Sequence, residues 1–490
     1  MSEHFVIVGN GAAGFRAAKA IRQADSDASI SIFTRERHPF YIRRLLGDFL
    51  SGEIGLQELI FQSRNAYRRE RLDLFLMTRI DRVMPDAHEI VFAPGERVRY
   101  DRLLVATGTE AVPVEAPGAD LRGVLRFDAL GSALEARTTL KEGRVRRAVL
   151  LDSGLVSLVL AESLAKRDVR VTQLVQGDRF WPEMLDEESS QLVETILEDH
   201  GVMLRRGAAI RSIVGAGGQA VGVECADGTV LPAELVGCGS RRRPAIGLLE
   251  DSGLEVGRGV RVDASFRTSQ KDVFAAGDVA EPDDGPPGGG TATAEGRVRA
   301  TPSTPAQHRA SVPPASCPFC WQRAWTQGDM AAAAMLDRAA EGAPDAIRMR
   351  TTLFGKELAV LGCGHLPEGG DVEARQVRTP PDTYRRLVFR KGRLVGAIVF
   401  GTGESVPDLN RLVASGQARP AVEAALQGPS ADRAGRLLPR TFAQHCPICA
   451  AELVVYRGTR VGETLRCHAC STDLVVRWEG GRGGLDVLRP

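Results

Sequence analysis

His4-Phe5-Val6-Ile7-Val8-Gly9-Asn10-Gly11-Ala12-Ala13-Gly14 is the stretch that sets the fold class of this chain. A short apolar run ends directly in a glycine turn, and Phe15, Ala18 and Ile21 then recur at helical spacing, which makes the segment a strand, a turn and a helix. Gly9 permits the tight turn, Gly11 lets a pyrophosphate approach the backbone, and Gly14 lets helix and strand pack closely. The unpaired N–H groups at the start of the helix face the phosphate charge. Ile30 to Phe33 reads as the next buried strand, and Glu36, 22 residues beyond Gly14, is placed to accept hydrogen bonds from a ribose diol. Together these make a complete βαβ half-site for a dinucleotide.

A second such unit starts at Ala148-Val149-Leu150-Leu151, continues through an apolar helix from Leu155 to Leu164 and returns as a strand from Val169 to Val175. Two separate units predict two Rossmann-like nucleotide domains in an α/β chain. Pro282 to Ser316, with Gly-Pro-Pro-Gly-Gly-Gly and a Thr/Ser/Pro/Ala tract, has no apolar period and reads as a flexible insertion. An alanine-rich helix from Ala324 to Leu336 follows, then short strands such as Arg386–Phe389 and Leu394–Phe400, which predict a third, small α/β domain. Gly428 to Arg440 is a polar connector to a tail of about fifty residues, too short for a good core without a staple.

The 490 residues carry 63 Lys+Arg against 62 Asp+Glu, a net charge of +1, so no strong field attracts nucleic acid or anionic lipid. There is no run of 18 apolar residues, since Asp152 interrupts the best candidate, and Met1 to Gly9 lacks the basic and apolar regions of an export signal. A cytoplasmic chain without membrane or nucleic-acid partners is expected.

Three further segments resemble the FAD-dependent pyridine nucleotide oxidoreductases: Phe40-Tyr41-Ile42-Arg43, Tyr100-Asp101-Arg102-Leu103-Leu104-Val105-Ala106-Thr107-Gly108, and Val273-Phe274-Ala275-Ala276-Gly277-Asp278-Val279. The branch they are most similar to holds the NADH–rubredoxin reductases and the flavin part of NADH-dependent nitrite reductases. Trp325, Gln327-Gly328 and Ala331 to Ala334 extend the likeness, as do Tyr384 to Val388 and Gly392 to Gly396, so that it covers roughly residues 4–415 apart from the insertion. The resemblance implies that Asp278, after Gly277, holds the ribityl chain, that Thr107 and Gly108 line the flavin, and that Arg43 meets the pyrophosphate. It also implies a helix near Trp321 with its positive end at the flavin. The expected organisation is an FAD domain in two parts, 1–112 and 241–281, interrupted by an NAD(P)-type domain at 113–240. After these come the insertion at 282–316, a helix of the FAD domain with a CxxC at 317–342, the small α/β domain at 343–427 and a zinc-ribbon-like tail at 440–490.

The second glycine turn is damaged. It reads Asp152-Ser153-Gly154-Leu155-Val156-Ser157-Leu158-Val159, with only Gly154 surviving. Asp152 adds negative charge where a pyrophosphate would settle. The resemblance puts Val159 where the family's Glu orients nicotinamide, and Gln176 where an acidic residue grips the adenosine ribose. Two readings stand side by side. One is loss of NAD(P)H binding; the other is a relaxed NADPH site, with Arg179 near a 2′-phosphate.

Six of the nine cysteines form three CxxC pairs. Cys446, Cys449, Cys467 and Cys470, with 17 residues between the pairs, have the spacing of a four-thiolate Zn²⁺ knuckle, with a rubredoxin-like iron site as competitor. Cys317 and Cys320, just before the helix expected at the flavin, are candidates for a redox-active disulfide, or for a half-site or plain packing. Cys225 and Cys238 read as small hydrophobes, Cys363 beside His365 as packing by default, and Arg241-Arg242-Arg243 as a solvated face. The function expected is FAD-dependent electron transfer to a protein or disulfide acceptor, with NAD(P)H a doubtful donor and a homo-oligomer open. The alternative is a flavoprotein assembly component without nicotinamide binding.

Overall fold

The computed structural model describes residues 2–92, 95–239, 241–282, 321–339, 346–379, 383–401 and 406–427, and in the tail 442–445, 452–455, 464–467, 473–479 and 482–487. Along the chain run β1 (His4–Val8), α1 (Ala12–Ala24), β2 (Ser29–Phe33), α2 (Leu46–Ser51), β3 (Asp73–Phe75) and β4 (Arg102–Val105). Next come β5 (Val124–Arg126), β6 (Arg147–Leu150), α3 (Leu155–Ala165), β7 (Arg170–Val175), α4 (Glu187–Asp199), β8 (Met203–Arg206) and β9 (Leu235–Cys238). The chain then returns as β10 (Val273–Ala275) and α5 (Trp321–Met335), and continues through β11 (Ile347–Leu353), β12 (Lys356–Gly362), β13 (Val372–Thr379), β14 (Thr383–Arg390), β15 (Arg393–Gly401) and α6 (Val406–Ala414).

The first sheet has the order β10-β4-β1-β2-β3 with every pairing parallel. Its central strand β1 is buried on both faces, which is why His4–Val8 is a continuous apolar run rather than an alternating one. The second sheet, β8-β7-β6-β9-β5, is also wholly parallel. Both nucleotide-type units predicted from the glycine turns are therefore present. The third sheet departs from expectation: β11-β12-β15-β14-β13 is antiparallel throughout, with α6 against β12 and β15. β11 and β12 are joined through Phe354-Gly355 and β14 and β15 through Lys391-Gly392, turns too short for anything but antiparallel pairing.

Helix α5 starts at Trp321, where the resemblance put it and three residues before the alanine-rich stretch at Ala324. Trp321 stacks on Trp325 one turn later, with ring centroids 4.5 Å apart, which ties down that first turn. The helix lies along α1, and a Cβ on Gly328 would come within 2.4 Å of the Ala13 carbonyl oxygen. Only glycine allows that approach. Phe15 of α1 stacks on Phe40 at 4.6 Å and meets Trp325 at 6.0 Å, so the aromatic residues of three separate motifs form one core beneath the first glycine turn.

The second unit and the antiparallel sheet share a core that includes Leu158, Leu164, Met349 and Leu353. A buried polar clamp joins the same two parts. Asp186 caps α4 by accepting the Ser189 amide at 3.1 Å, and it also accepts the Tyr384 hydroxyl and pairs with Arg386 Nη1 at 3.1 Å. Among the described residues no helix is long and apolar enough to cross a membrane.

Candidate functional site: the cavity at the first glycine turn

β1 and β4 are the strands at which the order of the first sheet reverses, and ligands of parallel sheets bind beyond the carboxyl ends of strands at that point. A cavity of about 1180 Å³ opens there, above the ~300–1000 Å³ of most small-molecule sites and in the size range of a dinucleotide. It brings together Gly9, Gly11, Glu36, Arg43, Thr107, Gly108, Gly277 and Asp278, eight of the nine cofactor residues expected from sequence. The ninth, Gly14, lies beneath: a Cβ there would meet the Gly9 carbonyl oxygen at 1.9 Å, so its part is to seat α1 on β1.

Gly9 sits at φ +117°, and a Cβ on it would come within 2.1 Å of the Ala106 carbonyl oxygen. Gly11 is different, since a Cβ would meet nothing within 4 Å and would stand on the cavity side. Gly11 is also the N-cap of α1 and supplies no side-chain cap, which leaves the first helical amides for an anion. Gly11→Ala is therefore expected to keep wild-type stability to within about 0.5 kcal/mol while weakening FAD binding at least about tenfold. Urea unfolding and fluorescence titration of FAD into the apoprotein check the two halves.

Glu36 lines the cavity with its carboxylate already held. It accepts the Tyr41 hydroxyl at 3.1 Å and Arg43 Nη2 at 2.6 Å, and Tyr41 in turn accepts the Leu130 amide at 3.1 Å. Arg43 also donates to the Asp128 carbonyl, so its guanidinium is engaged with Glu36 and the start of the second unit. Thr107 donates its hydroxyl to the Ala245 carbonyl at 2.8 Å, and Gly108 takes a left-handed turn at φ +65°. The QG motif acts from α5: Gln327 accepts the Gly277 amide at 2.7 Å and fixes the turn that carries Asp278 into the cavity.

Arg242 was missed at the sequence level, where the arginine run read as a solvated face. The run divides. Arg243 pairs with Glu110 at 2.9 Å on the outside, whereas Arg242 lines the cavity and donates to the Thr109 hydroxyl and carbonyl, both at 2.8 Å. Burial pushes its guanidinium down to about 10. The missed signal is the short strand Arg242–Pro244, whose pairing with Thr109–Ala111 turns alternate residues inward.

Seven arginines line the cavity against five carboxylates, a balance suited to a pyrophosphate. The buried Asn10 Nδ2 and Trp321 Nε1, both on its wall, have no hydrogen-bond partner among the described residues. Open helix amides, an anion-favouring wall and these two donors fit a flavin dinucleotide.

Comparison with known proteins agrees. The pyridine nucleotide-disulphide oxidoreductase family matches residues 3–303. The chain belongs to this family. Its enzyme class is that of the FAD-dependent oxidoreductases. It is similar to the biphenyl dioxygenase system ferredoxin–NAD(+) reductase component of Paraburkholderia xenovorans (strain LB400), 34% identical over 281 residues that span 57% of this chain and 68% of that protein. It is also similar to the rubredoxin–NAD(+) reductase of Pseudomonas putida, 29% identical over 276 residues, 56% of this chain and 71% of the other. Among solved structures, the covalent putidaredoxin reductase–putidaredoxin complex matches at TM-score 0.73 with 20% identity, covering 86% of this chain and 95% of that one, a likeness of fold. These relatives are reductases, and they favour the oxidoreductase over the assembly component.

The remaining candidates stand apart from the cavity. Cys317, Cys320, Cys446, Cys449 and Cys470 lie outside the described residues, while Cys467 is buried. Among the described residues no group of three or more His, Cys, Asp or Glu forms a metal site. Cys225 and Cys238 are buried at strand ends, as small hydrophobes are.

Proposed function

We propose that this enzyme passes electrons through a bound FAD to a small protein acceptor of the ferredoxin or rubredoxin class. The observation that carries the proposal is the single cavity shared by the Gly9–Gly14 turn, Glu36, the Thr107–Gly108 turn and Asp278. FAD, when bound, converts two-electron input into electrons delivered singly or in pairs.

In this reading Gly11 and the α1 amides take the pyrophosphate, and Glu36, oriented by Tyr41 and Arg43, accepts the adenosine ribose hydroxyls. Asp278 holds the ribityl chain. Trp321 and Ala324 at the start of α5 close the ring end against water and bring the helix's positive end near it. The acceptor class is supported by the ferredoxin and rubredoxin reductases among the relatives. Their NAD(+) reductase activity makes NADH and NADPH the first donors to test.

Purified protein is expected to be yellow, with about one FAD per chain, and Asp278→Ala to lose most of it while keeping its far-UV circular dichroism. A colourless wild-type protein that takes up no FAD on titration refutes the proposal. After anaerobic photoreduction, the protein should reduce an added ferredoxin or rubredoxin. Failure with both would refute the acceptor class alone.

A further inference from the structure

The second unit repeats the first with one decisive difference. In order along the chain, Asp152, Gly154 and Ser157 stand where Gly9, Gly11 and Gly14 stand, and the reversal of strand order lies between β6 and β9. In the first unit the helix is drawn so close that a Cβ on Gly14 would sit 1.9 Å from the Gly9 carbonyl. In the second, side chains fill the corresponding space. Ser157, 0% exposed, donates its hydroxyl to Asp152 Oδ1. Gly239, just past β9, donates its amide to Asp152 Oδ2 at 3.0 Å.

The Asp152 carboxylate thus bridges the end of β6, the residue after β9 and the first turn of α3, and sets a negative charge next to the N-terminus of α3, where a dinucleotide's pyrophosphate would have to approach. The turn itself has changed, since Gly9 is at φ +117° and Asp152 is not among the positive-φ residues. Two polar side chains nearby, the exposed Gln176 and the buried Gln173, also bond to the turn's backbone. Gln176, where an adenosine-gripping acid was expected, donates to the Leu151 carbonyl at 3.3 Å, and the buried Gln173 donates to the Asp152 carbonyl. The first residues of α3, Leu155 to Leu158, are all buried. Asp152 and Gln176 thus both bond within the chain, and Asp152 and Ser157 leave no glycine at the positions of Gly9 and Gly14.

We infer that the second nucleotide cradle is blocked by the chain's own carboxylate, the charge of Asp152 beside the α3 N-terminus repelling a pyrophosphate, so that neither NADH nor NADPH binds there as a dinucleotide and neither is the electron donor. This deepens the flavoenzyme proposal above and rests on it for the word donor; the closure itself does not depend on flavin.

The test is isothermal calorimetry of NADH and of NADPH into the full-length wild type, D152G/S157G and D152N, with flavin content read from the absorbance of the same samples. Wild type is expected to show no saturable binding up to about 1 mM nucleotide. D152G/S157G should bind one of the two at least about 100-fold more tightly, the order expected when a like charge a few ångströms from a phosphate is removed. D152N keeps the side-chain volume and tests the charge alone should the double variant misfold, with a gain of at least about tenfold. Wild-type binding below about 100 μM overturns the inference, and so does the absence of a gain in both variants. Colourless samples that still gain nucleotide binding on D152G/S157G would sink the flavoenzyme proposal and leave the closed cradle standing.

Discussion

Gly9→Ala is expected to yield protein that is free of flavin and less stable than wild type by about 2–4 kcal/mol. At φ +117° an L-residue is strained, at a cost of order 1–3 kcal/mol. The added Cβ would also stand 2.1 Å from the Ala106 carbonyl oxygen, a backbone atom that cannot swing aside. Relief requires the ends of β1 and β4 to separate, yet these ends are joined by the bond from the Ala106 amide to the Val8 carbonyl at 2.8 Å. They form the floor of the cavity, so stability and cofactor binding fail together. Urea unfolding followed by circular dichroism, with flavin absorbance per mole of protein, reads both. Stoichiometric flavin at wild-type stability would show that the turn is not under the constraint described. The contrast with Gly11→Ala, which spares the fold and affects the ligand, separates the two roles within one motif.

Removal of the Asp186 carboxylate should have an effect of similar size far from the cavity. Asp186 and Arg386 are 5% exposed each, and Asp186→Ala strands Arg386 in the interior while removing the α4 cap and the Tyr384 partner. Breaking a buried pair by one partner costs about 3–5 kcal/mol. Burial pushes the Asp186 carboxyl up, but hydrogen bonds from Ser189 and Tyr384 and the charge of Arg386 outweigh it and hold it below the ordinary value. A depressed carboxyl stabilises fully above the unfolded-state value of about 3.9, and the contribution is lost as the pH falls through the lower native value. The stability gap between wild type and Asp186→Asn is therefore expected to be widest near neutrality and to shrink below pH ~4. A gap that does not vary with pH would contradict the ionised pair.

Much of this was legible in the linear order of residues. The Gly9-x-Gly11-x-x-Gly14 turn between an apolar run and a helix predicted strand, turn and helix at β1 and α1, and the second unit followed at β6, α3 and β7. The antiparallel nature of the third sheet was less visible, because Leu387–Phe389 and Leu394–Phe400 are apolar on both faces and carry no mark of strand direction. Arg242 was read as solvated because an arginine run looks the same outside or at a cavity wall until the strand register turns one member inward.

The chain's own order determined where a glycine-only backbone conformation is needed, at Gly9, and where a bare backbone leaves room for a phosphate, at Gly11, since those requirements are local and fall on single residues. Only the tertiary structure decided what occupies each turn. The first opens on a cavity walled by Glu36, Thr107 and Asp278, residues up to 242 positions apart (Glu36 to Asp278), while the second is filled by an aspartate bonded to Gly239, 87 residues away. The reason is that parallel strands set the carboxyl ends of distant segments side by side. Whether a side chain there faces a ligand or a neighbouring amide is settled by that pairing, and local sequence does not encode it.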